Sequence, residues 1–219
     1  RDLARILLPD SGHIQEEDAA FANRKGFSRH APALPLYTED DAQRSLKYLR
    51  TVQTHQVFEP IHGWQAQLFG AGHILGAASL LLTVGGRRIL FSGDLGRPDD
   101  VLMLPAEAPP AADVVLLEST YGDRSHPTDN LASELGPVLQ RVAARGGTAV
   151  VPVFAVGRAQ ALLHTIAQLK ADGTVPAHLP VYLDSPMAIH TTDLSNAKAR
   201  ITTADQHLVQ ALLHRELDA

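Results

Sequence analysis

Cysteine is absent from the 219 residues, which excludes disulfide bonds, thiolate metal ligands and a cysteine nucleophile. This absence is typical of proteins from a reducing compartment, and we expect a cytoplasmic location. No apolar run reaches the length of a membrane helix, so no membrane partner is predicted. Positive charge is also scarce, with 19 Lys and Arg against 24 Asp and Glu and a net charge of −5. A polyanion would therefore have to be held by a local groove or by a metal.

Three apolar runs are each followed by a polar side chain that could do chemistry. His73 lies in the glycine-rich turn 70–76, Asp94 follows the run 90–91 through Ser-Gly, and Glu118 directly follows the run 114–117. Histidine and aspartate are both zinc ligands, and glycines let the backbone approach a ligand closely. His73 and Asp94 therefore predict part of a dinuclear hydrolytic metal centre. The alternative is a histidine satisfied in the core and an aspartate that caps a turn.

Glu118 is predicted to lie at the edge of the core, where burial raises the pKa of a carboxyl group unless a cation compensates. The functional interpretation is a proton carrier or a partner of a metal-bound histidine. The alternative is a glutamate that caps a helix or forms a salt bridge. Both interpretations remain open from the residues alone.

Five further residues are candidates for substrate contact, and two of them, Arg158 and Ser185, follow from the βα pattern in the second half. Arg158 comes after a strand and Gly157, at the start of a predicted helix, where an arginine and a helix N-terminus can hold a phosphate. His126 lies only eight residues after Glu118, close enough in sequence to contact a substrate. The remaining predicted substrate contacts are Ser119, Thr120 and Ser185.

The periodicity predicts a mixed α/β fold with a domain boundary near residues 123–130. The first predicted domain, 1–125, contains helices and then strands; the second, 126–219, alternates helices and strands, which indicates a parallel sheet. Gly85 and Gly86 predict a two-residue hairpin turn. The predicted helices are Leu3–Leu8, Ile14–Asn23, Thr38 or Glu39 to Arg50, Leu131–Arg145, Gln160–Leu169 and Leu208–Leu217. The predicted strands are Gln56–Pro60, Trp64–Phe69, Ala78–Val84, Arg88–Phe91, a fully buried Val114–Leu117, Ala149–Val153 and Val181–Leu183.

Taken in order, several of these segments resemble the metallo-β-lactamase-fold β-CASP nucleases, in particular the branch of the polyadenylation-factor nuclease and its bacterial and archaeal relatives. The matching stretches are AGHILGAA at 71–78, FSGD at 91–94, ESTYG at 118–122, PVFAVGRAQ at 152–160 and DSPMA at 184–188. The resemblance implies an αββα sandwich with a β-CASP domain inserted into it and an active site in the cleft between them.

It also implies a reaction and residue roles. Two zinc ions would activate a hydroxide that attacks an RNA phosphodiester, with His73 as one metal ligand and Asp94 as the bridging carboxylate. Glu118 would orient a catalytic histidine, and Arg158 would face the phosphates.

The sequence departs from the family pattern because no His-x-His-x-Asp-His run is present. The two later β-CASP histidine motifs are expected to fall beyond Ala219. We therefore expect the chain to be an internal fragment of a zinc-dependent ribonuclease, nearly inactive and poor at holding zinc by itself. The alternatives are a hydrolase of small-molecule esters on the same fold and a non-catalytic scaffold paralogue in an RNA-processing complex. RNA or DNA as substrate, endo- or 5′-exonucleolytic cleavage and the oligomeric state remain open.

Overall fold

The computed structural model describes residues 1–125 and 130–198. Along the chain, an N-terminal pair of helices is followed by the strands of a five-stranded sheet and then by three helices. The elements in chain order are α1 (Ala4–Lys25), α2 (Glu39–Ser45) with a 3₁₀ turn (Leu46–Tyr48), β1 (Phe58–Ile61), β2 (Trp64–Gly70), β3 (Ala78–Val84), β4 (Arg87–Phe91), β5 (Val114–Leu116), α3 (Leu131–Ala144), α4 (Arg158–Ala171) and α5 (Pro186–Lys198).

Helix α1 is continuous, which differs from the two helices predicted on either side of Pro9. Pro9 is the sixth residue of the helix and is buried. Because proline has no N–H, it removes one helical hydrogen bond near the start of the helix. Gly12 does not end the helix because packing requires it there. A Cβ at Gly12 would lie 2.7 Å from the backbone nitrogen of Glu39, so the glycine lets α2 approach α1 closely.

Helix α2 begins where the sequence predicts. Thr38 accepts a hydrogen bond from the backbone N–H of Asp41, and the Asp41 carboxylate accepts one from the N–H of Thr38. This capping box satisfies two backbone donors at the helix start. The α-helix ends at Ser45 rather than continuing to Arg50, because the chain tightens into the 3₁₀ turn.

The strands lie in chain order from β1 to β5. The first four pair antiparallel, and Gly85 and Gly86 connect β3 to β4, which confirms the predicted hairpin. β5 pairs parallel to β4, with Leu90 opposite Val115. Phe69, Leu81 and Leu90 form a small buried cluster on one side of the sheet.

β5 is an edge strand, and its predicted complete burial is wrong. Val114, Val115 and Leu116 are 45–54% exposed, and Leu117 beyond the strand is 66% exposed. The apolar run indicated a strand covered on both faces. In the described residues β5 pairs with β4 along one edge and has no neighbouring strand along the other.

The second half of the described chain is helical. α3 and α4 pack around Leu139, Ile166, Leu169 and Val175, and Asn130 caps α3 through the N–H of Ala132. The predicted strands Ala149–Val153 and Val181–Leu183 are absent as strands from the described residues. A strand needs a hydrogen-bonded neighbour, and neither segment pairs with another strand there; Val150 is 86% exposed.

The mixed α/β class is confirmed, but the parallel strand pair is β4–β5 in the first half, whereas the sequence predicts a parallel sheet for residues 126–219. Within the described ranges, none of the helices combines the length and the apolar character needed to cross a bilayer. The predicted helix Leu208–Leu217 lies outside those ranges. The division into domains 1–125 and 126–219 stays a prediction.

Candidate active site

The direction of the strands brings the three predicted strand-end residues to one edge of the sheet. β2 and β4 both pair antiparallel with β3, and β5 is parallel to β4, so β2, β4 and β5 run in the same direction. Their carboxyl ends therefore share an edge. His73 follows β2, Asp94 follows β4 and Glu118 follows β5, so all three loops emerge there.

The loops that carry His73 and Asp94 are in direct backbone contact. The N–H of Gly96 donates to the carbonyl of Ala71 at 2.8 Å. A Cβ on Gly96 would overlap the carbonyl oxygen of Gly72 and lie 2.7 Å from the nitrogen of His73. Only glycine permits this approach. Both His73 and Asp94 are exposed, so their polar atoms are accessible to a ligand.

Glu118 joins the third loop to the second. Its Oε1 accepts from the N–H of Leu95 at 3.2 Å, and its Oε2 accepts from the N–H of Thr120 at 3.0 Å. The hydrogen bonds from the backbone N–H of Thr120 and Leu95 and from the Thr120 hydroxyl lower the pKa of Glu118, and the nearby His73 lowers it further. The expected net rise in this pKa does not occur: desolvation of the half-buried group does raise it, but the hydrogen-bond donors outweigh that effect.

A buried serine connects the Asp94 loop to the Glu118 loop through hydrogen bonds. Ser92 is 4% exposed, and its Oγ accepts from the N–H of Glu118 at 2.9 Å and donates to the carbonyl of Gly93. The Ser79 hydroxyl in turn donates to the carbonyl of Ser92 at 2.7 Å. The backbone of the second loop and the start of the third are therefore connected through one hydroxyl group.

Arg158 lies at the start of α4, and its helix approaches the His73 loop. A Cβ on Gly157, the residue before it, would lie 3.4 Å from Cγ2 of Ile74, the residue after His73. The Arg158 guanidinium is exposed and lies 5.8 Å from the ring centroid of Phe154. The structure thus places the loop before α4, in the second predicted region, beside the His73 loop of the first.

The other predicted substrate residues are placed differently. Ser119 is exposed in the turn after Glu118, and Thr120 is exposed while its N–H and hydroxyl hydrogen-bond to Glu118. Ser185 caps α5, since its Oγ accepts from the N–H of Ala188 at 3.2 Å. His126 lies outside the described residues. The substrate-binding roles of all four stay predictions.

Zinc does not fit the described residues by themselves. A structural or catalytic zinc site needs three or four protein ligands. Across residues 1–125 and 130–198, no group of three or more His, Cys, Asp or Glu side chains is placed to hold a metal ion. His73 and Asp94 supply two donors, and both oxygens of Glu118 are already hydrogen-bonded to backbone N–H groups.

Sequence reasoning missed Ser92 and Gln160, which hold these loops through hydrogen bonds. Ser92 is part of the FSGD stretch, where a small polar residue between a strand and a glycine is the available signal. Gln160 is buried in the first turn of α4, at the third residue of the helix, where glutamine commonly turns back to the helix start.

Comparison with known proteins reveals clear relatives. The chain is 34% identical over 155 residues to the Drosophila melanogaster cleavage and polyadenylation specificity factor 73, covering 70% of this chain and 22% of that protein. It is 39% identical over 157 residues to ribonuclease TTHA0252 of Thermus thermophilus, covering 70% and 35% respectively. It is 38% identical over 130 residues to the endoribonuclease YSH1 of Kluyveromyces lactis, covering 58% and 17%. No protein-family model matches the chain.

Two of these three relatives have names that denote ribonucleases, which are hydrolases. The chain is a homologue of the RNA nucleases of the metallo-β-lactamase β-CASP family, and the resemblance of its motifs is confirmed over about 70% of its length. The matched part spans about a third or less of each of those relatives.

Proposed function

We propose that this chain forms part of a hydrolase that cleaves RNA phosphodiester bonds, with its active site at the carboxyl edge of β2, β4 and β5. The observation that carries the proposal is the backbone contact that brings the His73 and Asp94 loops together beside Glu118. The ribonuclease names of the relatives support RNA as the substrate. The cytoplasmic location belongs to the same proposal.

Glu118 is suited to accept hydrogen bonds rather than to release a proton. Its lowered pKa keeps the carboxylate charged near neutral pH, where a general acid would need a raised pKa. A fixed carboxylate of this kind orients a metal-bound histidine by accepting a hydrogen bond from its free ring N–H. Of the two functional interpretations of Glu118, we therefore adopt the partner of a metal-bound histidine rather than the proton carrier.

Zinc is the proposed cofactor, with His73 and Asp94 as two of its ligands. Zinc supplies Lewis acidity and an activated water when it is bound in such hydrolases. The further ligands would have to come from outside the described residues. Arg158 is proposed to bind a phosphate of the RNA, since its guanidinium is always charged and exposed beside the His73 loop.

The test is cleavage of end-labelled RNA, with zinc content, for the full-length protein and its Asp94→Ala variant. We expect cleavage by the wild type and a loss on the order of 1,000-fold in the variant, because a metal centre contributes several kcal/mol to the transition state. Asp99→Ala, an exposed aspartate five residues further on, is the matched control and should cleave normally.

Normal cleavage by Asp94→Ala would exclude the proposed site. A metal-free wild type without activity would favour the scaffold alternative. Glu118→Ala should lower the rate while most of the bound zinc is retained, because its carboxylate acts on a neighbour rather than on the metal.

A further inference from the structure

Gln160 is a buried glutamine whose amide connects three separate segments. It is 7% exposed, and its Oε1 accepts from the N–H of Gly157 at 2.7 Å. Its Nε2 donates to the carbonyl of Ala155 at 3.0 Å and to the hydroxyl of Thr192 at 2.9 Å. A buried amide with both ends satisfied specifies one geometry, because any movement leaves a polar group without a partner.

The segment held by Gln160 has an unusual backbone. Gly157 has φ 79° and ψ −64°, and the N–H of Arg158 donates to the carbonyl of Val156 at 3.0 Å. These values define a γ-turn of positive φ, which is rare and strained. Strained backbone persists only where the surrounding structure holds it, and such places cluster at functional sites.

The contacts on either side of the turn indicate what it positions. Arg158 directly follows the turn, and Ile74, next to His73, lies beside it, since a Cβ at Gly157 would be 3.4 Å from Cγ2 of Ile74. Thr192 belongs to α5, whose first turn is capped by Ser185. Gln160 therefore links the backbone before Arg158 to α5 while the turn itself contacts the loop of a predicted metal ligand.

We infer that Gln160 is a positioning residue, which holds the turn at Gly157 so that Arg158 faces the substrate phosphate beside His73. This inference rests on the proposed function for the role of Arg158. The held turn itself is a property of the fold and can be measured without activity.

The first experiment is a double-mutant cycle in the full-length protein, measured as kcat/KM for a short end-labelled RNA. Gln160→Met keeps the length of the side chain but removes its hydrogen bonds, and Arg158→Ala removes the guanidinium. Each single variant should lose on the order of 10- to 100-fold, because small misplacements of a positioned group are costly. Once Arg158 is absent, Gln160→Met should cost no more than about twofold further, because both changes remove one interaction.

The matched control is Gln168→Met on the exposed side of the same helix, which should leave kcat/KM unchanged. Thr192→Val removes one acceptor of Gln160 and should reproduce a smaller part of the loss. Losses that multiply in the double variant, or a Gln160→Met variant as active as Gln168→Met, would overturn the inference.

The second experiment is hydrogen exchange of the Gly157 amide in Gln160→Met, which needs no activity. Exchange should be about tenfold faster than in the wild type, since the acceptor of that N–H is gone. The amide of Val175, bonded to Leu169, should keep its rate and shows that the variant is folded. Unchanged exchange at Gly157 would refute the held turn, whereas a wild type that cleaves no RNA would refute the proposed function instead.

Discussion

The two halves of the described chain hold their candidate residues by different means. In residues 58–125, hydrogen-bonded strands bring His73, Asp94 and Glu118 to one edge, and backbone groups join their loops. In residues 130–198, no strand is formed, and the loop before Arg158 is held by the side chain of Gln160 on packed helices.

The two regions should therefore differ in their sensitivity to added side-chain volume and to the loss of hydrogen bonds. A sheet edge with touching backbones tolerates almost no added volume, because the backbones cannot move apart without breaking strand pairing. A loop held by one amide depends on a few hydrogen bonds, each of modest net free energy. Added volume where the first-half loops touch should therefore reduce stability and activity together, whereas the loss of a hydrogen bond of Gln160 in the second half should reduce activity with a smaller change in stability.

The largest effect is expected from Gly96→Ala in the first half. Its added Cβ overlaps the carbonyl of Gly72, so the Asp94 and His73 loops must separate. We expect a loss of about 3 kcal/mol in the free energy of unfolding, as for overpacked sites, together with loss of RNA cleavage. Chemical denaturation and a cleavage assay would measure both.

The control for Gly96→Ala is Gly147→Ala, where the new Cβ would lie closest to the flexible side chain of Arg145. That variant should stay within about 0.5 kcal/mol of the wild type. A Gly96→Ala protein as stable and active as this control would show that the two loops do not depend on their contact.

A smaller and more selective effect is expected from Gly157→Ala in the second half. Gly157 and Gly173 have nearly the same φ, 79° and 78°, but only at Gly157 would an added Cβ have a neighbour within 4 Å, Cγ2 of Ile74. Both alanine variants should lose at least about 1 kcal/mol of stability through backbone strain. Only Gly157→Ala should also lower RNA cleavage, because only that turn leads to Arg158. Equal cleavage by the two variants would remove the functional role of the turn.

The smallest effect is expected from Glu118→Gln, and it depends on pH. The folded-state pKa of Glu118 lies below its ordinary value of 4.5, so the carboxylate stabilises the fold above that pH. This contribution is lost as the pH falls through the lowered folded-state pKa. The difference in free energy of unfolding between wild type and Glu118→Gln should thus be constant above about pH 5.5 and shrink in acid.

Thr120→Val tests the physical cause of that lowered pKa. It removes the hydroxyl that hydrogen-bonds to Glu118 but keeps the backbone N–H donor. In this variant the pKa of Glu118 should be lowered less than in the wild type. The stability contributed by the carboxylate should therefore be lost at a higher pH than in the wild type. A pH profile of Glu118→Gln parallel to that of the wild type would contradict the lowered pKa.

Local patterns predicted the elements that depend on local physics. The β2–β4 meander with its Gly85-Gly86 turn, the capped start of α2, and helices α3 and α4 all follow from residues near in sequence. The misplaced elements depend on distant partners. Gly12 could not be distinguished from a helix stop without α2 beside it, and the exposed edge position of β5 is set by its neighbours.

For the candidate site, the sequence by itself determined which side chains follow the strands, because alternation and turn residues place His73, Asp94 and Glu118 at strand ends. Only the tertiary structure decided that their loops touch, that backbone donors lower the pKa of Glu118, and that Gln160 holds the turn before Arg158. The physical reason is that a hydrogen bond between groups 23 residues apart, such as that from Leu95 to Glu118, leaves no periodic trace in the sequence.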